Sequence, residues 1–254
     1  MDAAAADAYL ARLDVDRPSR LDADALALLH ERHLRTIPFE NLDIHLGVPI
    51  VLEEAALFDK IVTRHRGGLC YELNGLFAAL LRQLGFAVTV LAGRVFGAEG
   101  IGPVFDHMAL GVDVDEPWLA DVGFGRLSHL PLKLDSRDDQ KDPGGSFRLL
   151  DADYGDLDLH MGDRPQYRLE RRPRELSDFE ALCWWQQTSP KSNFRQGPVC
   201  SMLTDGGRVT VSGRLMIETI DDVRSERSLD TDAEMLDVYR ERFGIDLACV
   251  PTIP

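Results

Sequence analysis

Between residues 73 and 84 the apolar side chains Leu73, Leu76, Phe77, Leu80, Leu81 and Leu84 recur at spacings of three, one, three, one and three. That period draws one face of an α-helix. Gly85 follows, a residue able to take the left-handed backbone of a helix C-cap. A helix with such a stripe buries it. From Phe86 the texture changes: Val88–Val95 and Met108–Val114 are rich in β-branched and alternating residues and read as strands. The chain thus passes from helix to sheet near residue 86.

The start of this helix carries the chemistry. It reads RGGLCYELNGLF, residues 66–77, with Cys70 just after two glycines. First-turn N–H groups lack helical partners, and the helix dipole favours negative charge there, so a thiolate is favoured. Most free cysteines are small buried hydrophobes, and position alone leaves both readings open. A cysteine nucleophile needs a base, and the base needs an orienting group. His107 lies in VFDHMALGV, where Met108, Leu110 and Val112 alternate to one face. His107 then shares the other face with Ala109 and Gly111. Asp121, in WLADVGFG, is a carboxylate in an apolar strand before a glycine-flanked turn. Taken singly, a strand histidine is more often a satisfied core residue and a strand-end aspartate a turn cap. Together Cys70, His107 and Asp121 form a candidate triad on helix start, strand and strand.

Strand parity constrains that triad. His107 and Asp121 meet only if they project to one face, so the turn between their strands needs an odd number of residues. A turn at Val114-Asp115-Glu116 pairs Asp113 with Pro117, Met108 with Val122 and His107 with Gly123. Asp121 is then a diagonal neighbour of the imidazole, and a glycine opposite His107 leaves the ring room.

Elsewhere, residues 4–85 read as mostly helical, with Asp22 and Asp24 as N-caps and a helix over 53–62. Further strands are expected at 118–122, 147–150 and, as a pair, within 207–220; a helix is expected over 232–243. Residues 132–146 read as a polar loop, and the charge-rich run 164–174 as solvated surface. The 254 residues, 44% hydrophobic, suit one enzyme-sized unit or two to three subdomains. A net charge of -15 and a pI near 4.8 argue against a general nucleic-acid or anionic-membrane surface. They leave room for a local basic pocket. The N-terminus has no basic region or long apolar core, so no secretory signal is expected, and no segment has the length of a membrane span. Cys70, Cys183, Cys200 and Cys249 form no C-x-x-C pair, which argues against a structural zinc site or a disulfide framework. The expected compartment is the reduced cytoplasm, with no metal.

RGGLCYELNGLF, together with IPFENLDIH (37–45), DHMALGV (106–112), WLADVGFG (118–125) and QTSPKSNF with VCS (187–201), resembles the arylamine N-acetyltransferase family in the right order. The resemblance implies an α+β fold: a helical N-terminal domain over 1–85 carrying the nucleophile, a central antiparallel β-barrel over 86–185 carrying His and Asp, and a smaller α/β lid over 186–254. It places the family's nucleophile on Cys70, its base on His107 and its orienting carboxylate on Asp121. It implies acetyl transfer from acetyl-CoA, as co-substrate, to arylamines, arylhydrazines or N-hydroxyarylamines. It also suggests Phe39, Tyr71 and Phe124 as walls of the substrate pocket. Gly123, Thr188, Ser189 and Ser192 are suggested as contacts to CoA, with Lys191, Arg195, Arg208 or Arg214 for its phosphates. Expected partners are small molecules rather than nucleic acid or membrane. Two other activities share such a triad: a macrolactam-forming amide synthase and a cysteine hydrolase.

Overall fold

The computed structural model describes residues 1–221 and 223–253. Two helices open the chain, α1 (Ala3–Leu13) and α2 (Ala23–Thr36). Each has an aspartate N-cap: Asp2 accepts from the Ala5 N–H at 2.8 Å, and Asp22 from Ala25 at 3.0 Å. There follow β1 (Phe39–Glu40), α3 (Leu42–Leu46) and α4 (Glu54–Phe58). The last runs on into a π-helical turn, Asp59–Thr63. The striped helix is α5 (Cys70–Leu84), closed by Gly85 at φ 107°. Leu73, Leu76, Phe77, Leu80 and Leu81 are all fully buried, and the same core holds Val90, Met108, Leu110, Val112 and Ala120. The helix therefore lays its stripe on the wall of the sheet that follows it.

That sheet comprises β2 (Ala87–Gly97), β3 (Gly100–Ile101), β4 (His107–Asp113), β5 (Pro117–Ala120), β6 (Leu132–Lys133), β7 (Gln140–Asp142), β8 (Gly145–Asp151), β9 (Leu157–Met161) and β10 (Arg164–Leu169). Eight of these strands follow the order β6-β5-β4-β2-β10-β9-β8-β7, with β3 paired only to β2. Its pairings are antiparallel. The free edges meet through one side chain: the Gln140 carboxamide accepts from Lys133 N–H at 2.7 Å and donates to Lys133 C=O at 3.0 Å. It thereby takes the place of a strand partner and nearly closes a barrel filled by Leu91, Leu119, Phe147, Leu149, Leu159 and Tyr167.

Two sequence expectations are corrected here. The polar stretch 132–146 contains the short strands β6 and β7. The run 164–174 is not simply solvated surface, because its first part is β10, a strand between β2 and β9. Tyr167 and Leu169 point inward and are fully buried, while Arg168 turns outward onto Asp158 at 2.7 Å.

The C-terminal part holds α6 (Glu180–Thr188), β11 (Val199–Thr204), β12 (Gly207–Ser212), β13 (Leu215–Ile220), β14 (Val223–Ser228) and α7 (Asp232–Phe243). The two strands expected within 207–220 are β12 and β13, and they have β11 and β14 as flanks. The second sheet runs β1-β11-β12-β13-β14, so a strand from the N-terminal region forms its edge. Met235, Val238, Tyr239 and Phe243 of α7 bury against Cys200, Val209, Val211 and Met216. Helices, an antiparallel barrel and a smaller α/β unit make up the expected α+β architecture. No helix among the described residues is long and apolar enough to cross a membrane.

Candidate active site

Cys70 is the first residue of α5 and is 3% exposed. The glycines before it are forced by close approach. A Cβ on Gly67 would lie 1.9 Å from the Pro38 carbonyl oxygen, and one on Gly68 would lie 2.7 Å from Glu72 Oε2. The loop thus lies against β1, where Glu40 N–H donates to Gly68 C=O at 3.0 Å. Leu69 has no side-chain oxygen for a cap, and Glu72 reaches back to accept its N–H at 2.8 Å.

His107 opens β4, and its imidazole meets Asp121 through Nε2–Oδ2 at 2.7 Å. The parity argument holds: Asp113 pairs with Pro117, and the register runs through Leu110↔Ala120 across a three-residue turn. The expected pairs Met108–Val122 and His107–Gly123 do not form, because β5 ends at Ala120 and the Asn74 carboxamide enters the ladder. Its Nδ2 donates to Met108 C=O at 2.6 Å and to Asp121 Oδ1 at 3.0 Å, while its Oδ1 accepts the Val122 N–H at 3.0 Å. The room beside the imidazole also has a different source. His107 pairs with Gly93 on β2, where a Cβ would lie 3.2 Å from the His107 Cβ. Gly123 is glycine because a Cβ there would stand 2.7 Å from the Cys70 Cα.

Asp121 is 2% exposed and held from five sides. Oδ2 accepts from His107 and from the Tyr167 hydroxyl at 3.0 Å; Oδ1 accepts from Asn74 and from Gly123 N–H at 3.0 Å. Its own N–H donates to His30 Nε2 at 3.1 Å. His30 Nδ1 lies 2.9 Å from the His129 carbonyl oxygen, so the neutral ring with its proton on Nδ1 bridges the two segments. Burial holds His30 below its ordinary range. Burial also opposes charge on Asp121, yet His107 and the donors around it hold the carboxyl low. For His107, burial acts against the imidazolium, but Asp121 overrides it and the Cys70 thiol adds a side-chain hydrogen bond; the ring is raised to about 10. With Nε2 on Asp121, Nδ1 is the nitrogen left for the thiol. The ring is packed edge-on by Phe124 at 5.1 Å and against Tyr167 at 4.8 Å.

The structure therefore brings Cys70, His107 and Asp121 together. His30 and Tyr167 are additions to the sequence reading. Alternation in RPQYRL was a signal for Tyr167; nothing local marks His30. Phe124 is half-buried on the imidazole, and Phe39 is half-buried with Phe194 at 6.0 Å. Tyr71 is corrected. It is fully buried, with its hydroxyl donated to the carbonyls of Phe105 and Asp106 at 3.1 and 3.2 Å, so it anchors the entry to β4 rather than walling a cleft.

A cleft of about 790 Å³ lies between the β2–β3 hairpin and residues 185–194, lined among others by Arg94, Gly102, Asp106, Lys191 and Phe194. It approaches the triad through Asp106, the neighbour of His107, and through Phe194, which packs on Phe39. The suggested CoA contacts are redistributed. Ser192 is fully buried, its hydroxyl donated to Gln186 Oε1 at 2.6 Å, and Gly123 is buried under Cys70; neither presents a ligand surface. Thr188 donates to the Trp184 carbonyl at 2.8 Å, and Ser189 accepts from Lys191 N–H at 3.2 Å, so both hydroxyls serve their own turn. Arg195 bonds the carbonyls of Gln187 and Thr188, and Arg214 pairs with Asp232. Lys191 reaches the cleft. Arg208, whose hydrogen bond is to the Ser201 hydroxyl at 3.2 Å, is lowered to about 10 by burial and by Arg126. No group of three or more potential metal-binding side chains occurs among the described residues.

The N-acetyltransferase family model matches residues 22–252. The chain is 36% identical to an arylamine N-acetyltransferase of Mycolicibacterium smegmatis, over 94% of this chain and 91% of the relative. It is 35% identical to one from Escherichia coli, over 93% and 87%. The solved arylamine N-acetyltransferase of Salmonella typhimurium superposes with a TM-score of 0.89 at 32% identity, covering 96% of this chain and 92% of that one. That of Mycobacterium marinum in complex with CoA gives 0.86 at 33% identity, covering 94% and 92%. The chain belongs to the arylamine N-acetyltransferase family.

Proposed function

We propose that this protein transfers the acetyl group of acetyl-CoA to the amino group of arylamines, arylhydrazines or N-hydroxyarylamines by way of an acetyl-cysteine on Cys70. The observation that carries the reading is the His107 imidazole, held on Nε2 by Asp121 and turned toward the Cys70 thiol, within a chain of this family. The relatives found are acetyltransferases, and no observation favours the amide synthase or the hydrolase.

In the first half-reaction the Cys70 sulfur, its proton on His107, attacks the thioester carbonyl carbon. The bond from that carbon to the CoA sulfur breaks, and CoA leaves as the thiol with the proton from His107. In the second, the amine nitrogen attacks the acetyl carbon, His107 takes the amine proton, and the Cys70 sulfur leaves. Arylamines suit this step because they are largely neutral near pH 7. First-turn N–H groups of α5 supply donors for the oxyanion. Asp121 keeps one ring nitrogen committed, so the other faces the sulfur. Phe124 and Phe39 offer apolar surface to the aryl group. Lys191 and Arg94 bring positive charge to the cleft for the CoA phosphates.

We divide these tasks among residues 1–85, 86–185 and 186–254. The cysteines found are all free thiols, and we place the enzyme in a reduced cytoplasm. Initial-rate kinetics test the scheme. Parallel double-reciprocal lines for acetyl-CoA against arylamine are expected, and intersecting lines would show direct transfer in a ternary complex.

A further inference from the structure

We propose that Lys60 is a positioning residue for acetyl transfer: it neutralises the Glu72 carboxylate, so that this carboxylate can cap α5 without opposing negative charge at Cys70. The role rests on the reading of Cys70 as the acetylated nucleophile.

The problem it solves is local. The first turn of α5 is where the sulfur and the oxyanion carry negative charge during the reaction. The same turn lacks a side-chain cap at Leu69, and Glu72 supplies one from two residues beyond Cys70. A carboxylate there stabilises the helix but repels a second negative charge in the same turn. Glu72 is 1% exposed, so water screens little of it.

Lys60 meets this carboxylate at 2.7 Å through Glu72 Oε1, leaving Oε2 for the Leu69 N–H. Its Nζ also lies 2.7 Å from Asp43 Oδ2, and Lys60 is 4% exposed. The π-helical turn of residues 59–63 brings it inward. There Arg64 N–H donates to Asp59 C=O at 2.8 Å and Arg66 N–H to Lys60 C=O at 3.0 Å, wider closures than an α-helix makes. Arg66 is already engaged by the other two carboxylates: its Nε donates to Glu40 Oε1 at 3.0 Å, and its Nη2 lies 2.8 Å from Glu40 and 2.9 Å from Asp43. Three buried carboxylates thus face two buried cations, and loss of Lys60 leaves three against one. Burial pushes Glu72 upward while Lys60 opposes it. Burial also opposes charge on Lys60, but Glu72, Glu40 and Asp43 override it and hold the ammonium charged.

The test is a double-mutant cycle on the full-length protein: Lys60→Gln, Glu72→Gln and both together. Glu72→Gln keeps an oxygen for the Leu69 N–H and removes the charge. The rate of Cys70 acetylation by acetyl-CoA is followed by rapid quench and mass spectrometry, with KM for acetyl-CoA and Tm measured alongside. Lys60→Gln is expected to slow acetylation by about tenfold to a hundredfold when Glu72 is present, an unscreened charge in the same helical turn. In the Glu72→Gln background the same change should cost less than about threefold, with KM within about twofold throughout. Equal losses in both backgrounds would mean packing alone and would overturn the proposal. If Lys60→Gln does not fold, Glu72→Gln and the double variant decide: rates within about threefold of each other are expected, and a tenfold gap overturns it. Absence of acetyl on wild-type Cys70 would overturn the proposed function and this role with it. A normal wild-type rate with equal losses would overturn the role of Lys60 alone.

Discussion

Replacing Tyr167 by Phe removes one oxygen and keeps the ring that packs on His107 at 4.8 Å. The lost hydroxyl donates to Asp121 Oδ2 at 3.0 Å, the oxygen that also accepts from His107 at 2.7 Å. Asp121 is 2% exposed, so water does not restore the bond. A hydrogen bond to a charged group contributes about 1.5–3 kcal/mol. At about 2–4 °C per kcal/mol for a chain of this size, Tm should fall by roughly 3–12 °C. A second effect follows from charge. With the tyrosine donor gone, more of the negative charge on Oδ2 acts on the imidazolium, which is already raised to about 10. His107 then gives up its proton less readily, by up to about one pH unit. The neutral ring that accepts the amine proton becomes scarcer, and the acidic limb of single-turnover deacetylation, along which the rate rises as His107 loses its proton, moves to higher pH. Calorimetry and a deacetylation profile from about pH 6 to 11 measure both. A limb that stays put or moves down, or an unchanged Tm, would refute the argument that Tyr167 shares the orienting carboxylate.

Gly123→Ala should lower kcat/KM by more than tenfold and cost about 1–3 kcal/mol, because the added methyl would stand 2.7 Å from the Cys70 backbone and the Asn74 amide. Full single-turnover activity would show that α5 does not seat there. Stability against pH gives a further test. His107 rises from its ordinary 6.5 to about 10, so its contribution is fully present below about 6.5 and is lost as pH rises through about 10. Asp121 is depressed below its ordinary 3.8, so its contribution is present above that value and lost as pH falls through the folded value. The stability gap between wild type and Asp121→Asn, measured in urea, should therefore be widest above about pH 4 and below about 6.5, and should narrow toward pH 10. A gap that widens with rising pH would contradict the ion pair.

Local periodicity made α5 legible, since its stripe and Gly85 lie within sixteen residues of Cys70. Parity made the β4–β5 register legible for the same reason, as a period of two needs only an odd turn. The end of that ladder was not legible. Asn74 is 34 residues from Met108 and 48 from Val122, and no local pattern shows an amide displacing a strand partner. Tyr167 was overlooked although it alternates with Leu169, because two inward residues are few among the arginines of 164–174. Ser192 was suggested as a CoA contact through the resemblance of segment 187–194, and its burial depends on Gln186 across the turn, which no local pattern shows. Gly123 was read as room for the imidazole and as a contact to CoA, but what approaches it is the start of α5.

Intact mass after incubation with acetyl-CoA, with no amine present, tests the central claim most directly. One acetyl group per chain is expected, on the peptide containing Cys70 and on none containing Cys183, Cys200 or Cys249, and added arylamine should remove it. Burial raises the thiols of Cys183 and Cys200, which keeps them protonated and unreactive. An unmodified chain that still turns over acetyl-CoA and amine, or an acetyl group on another cysteine, would contradict the account.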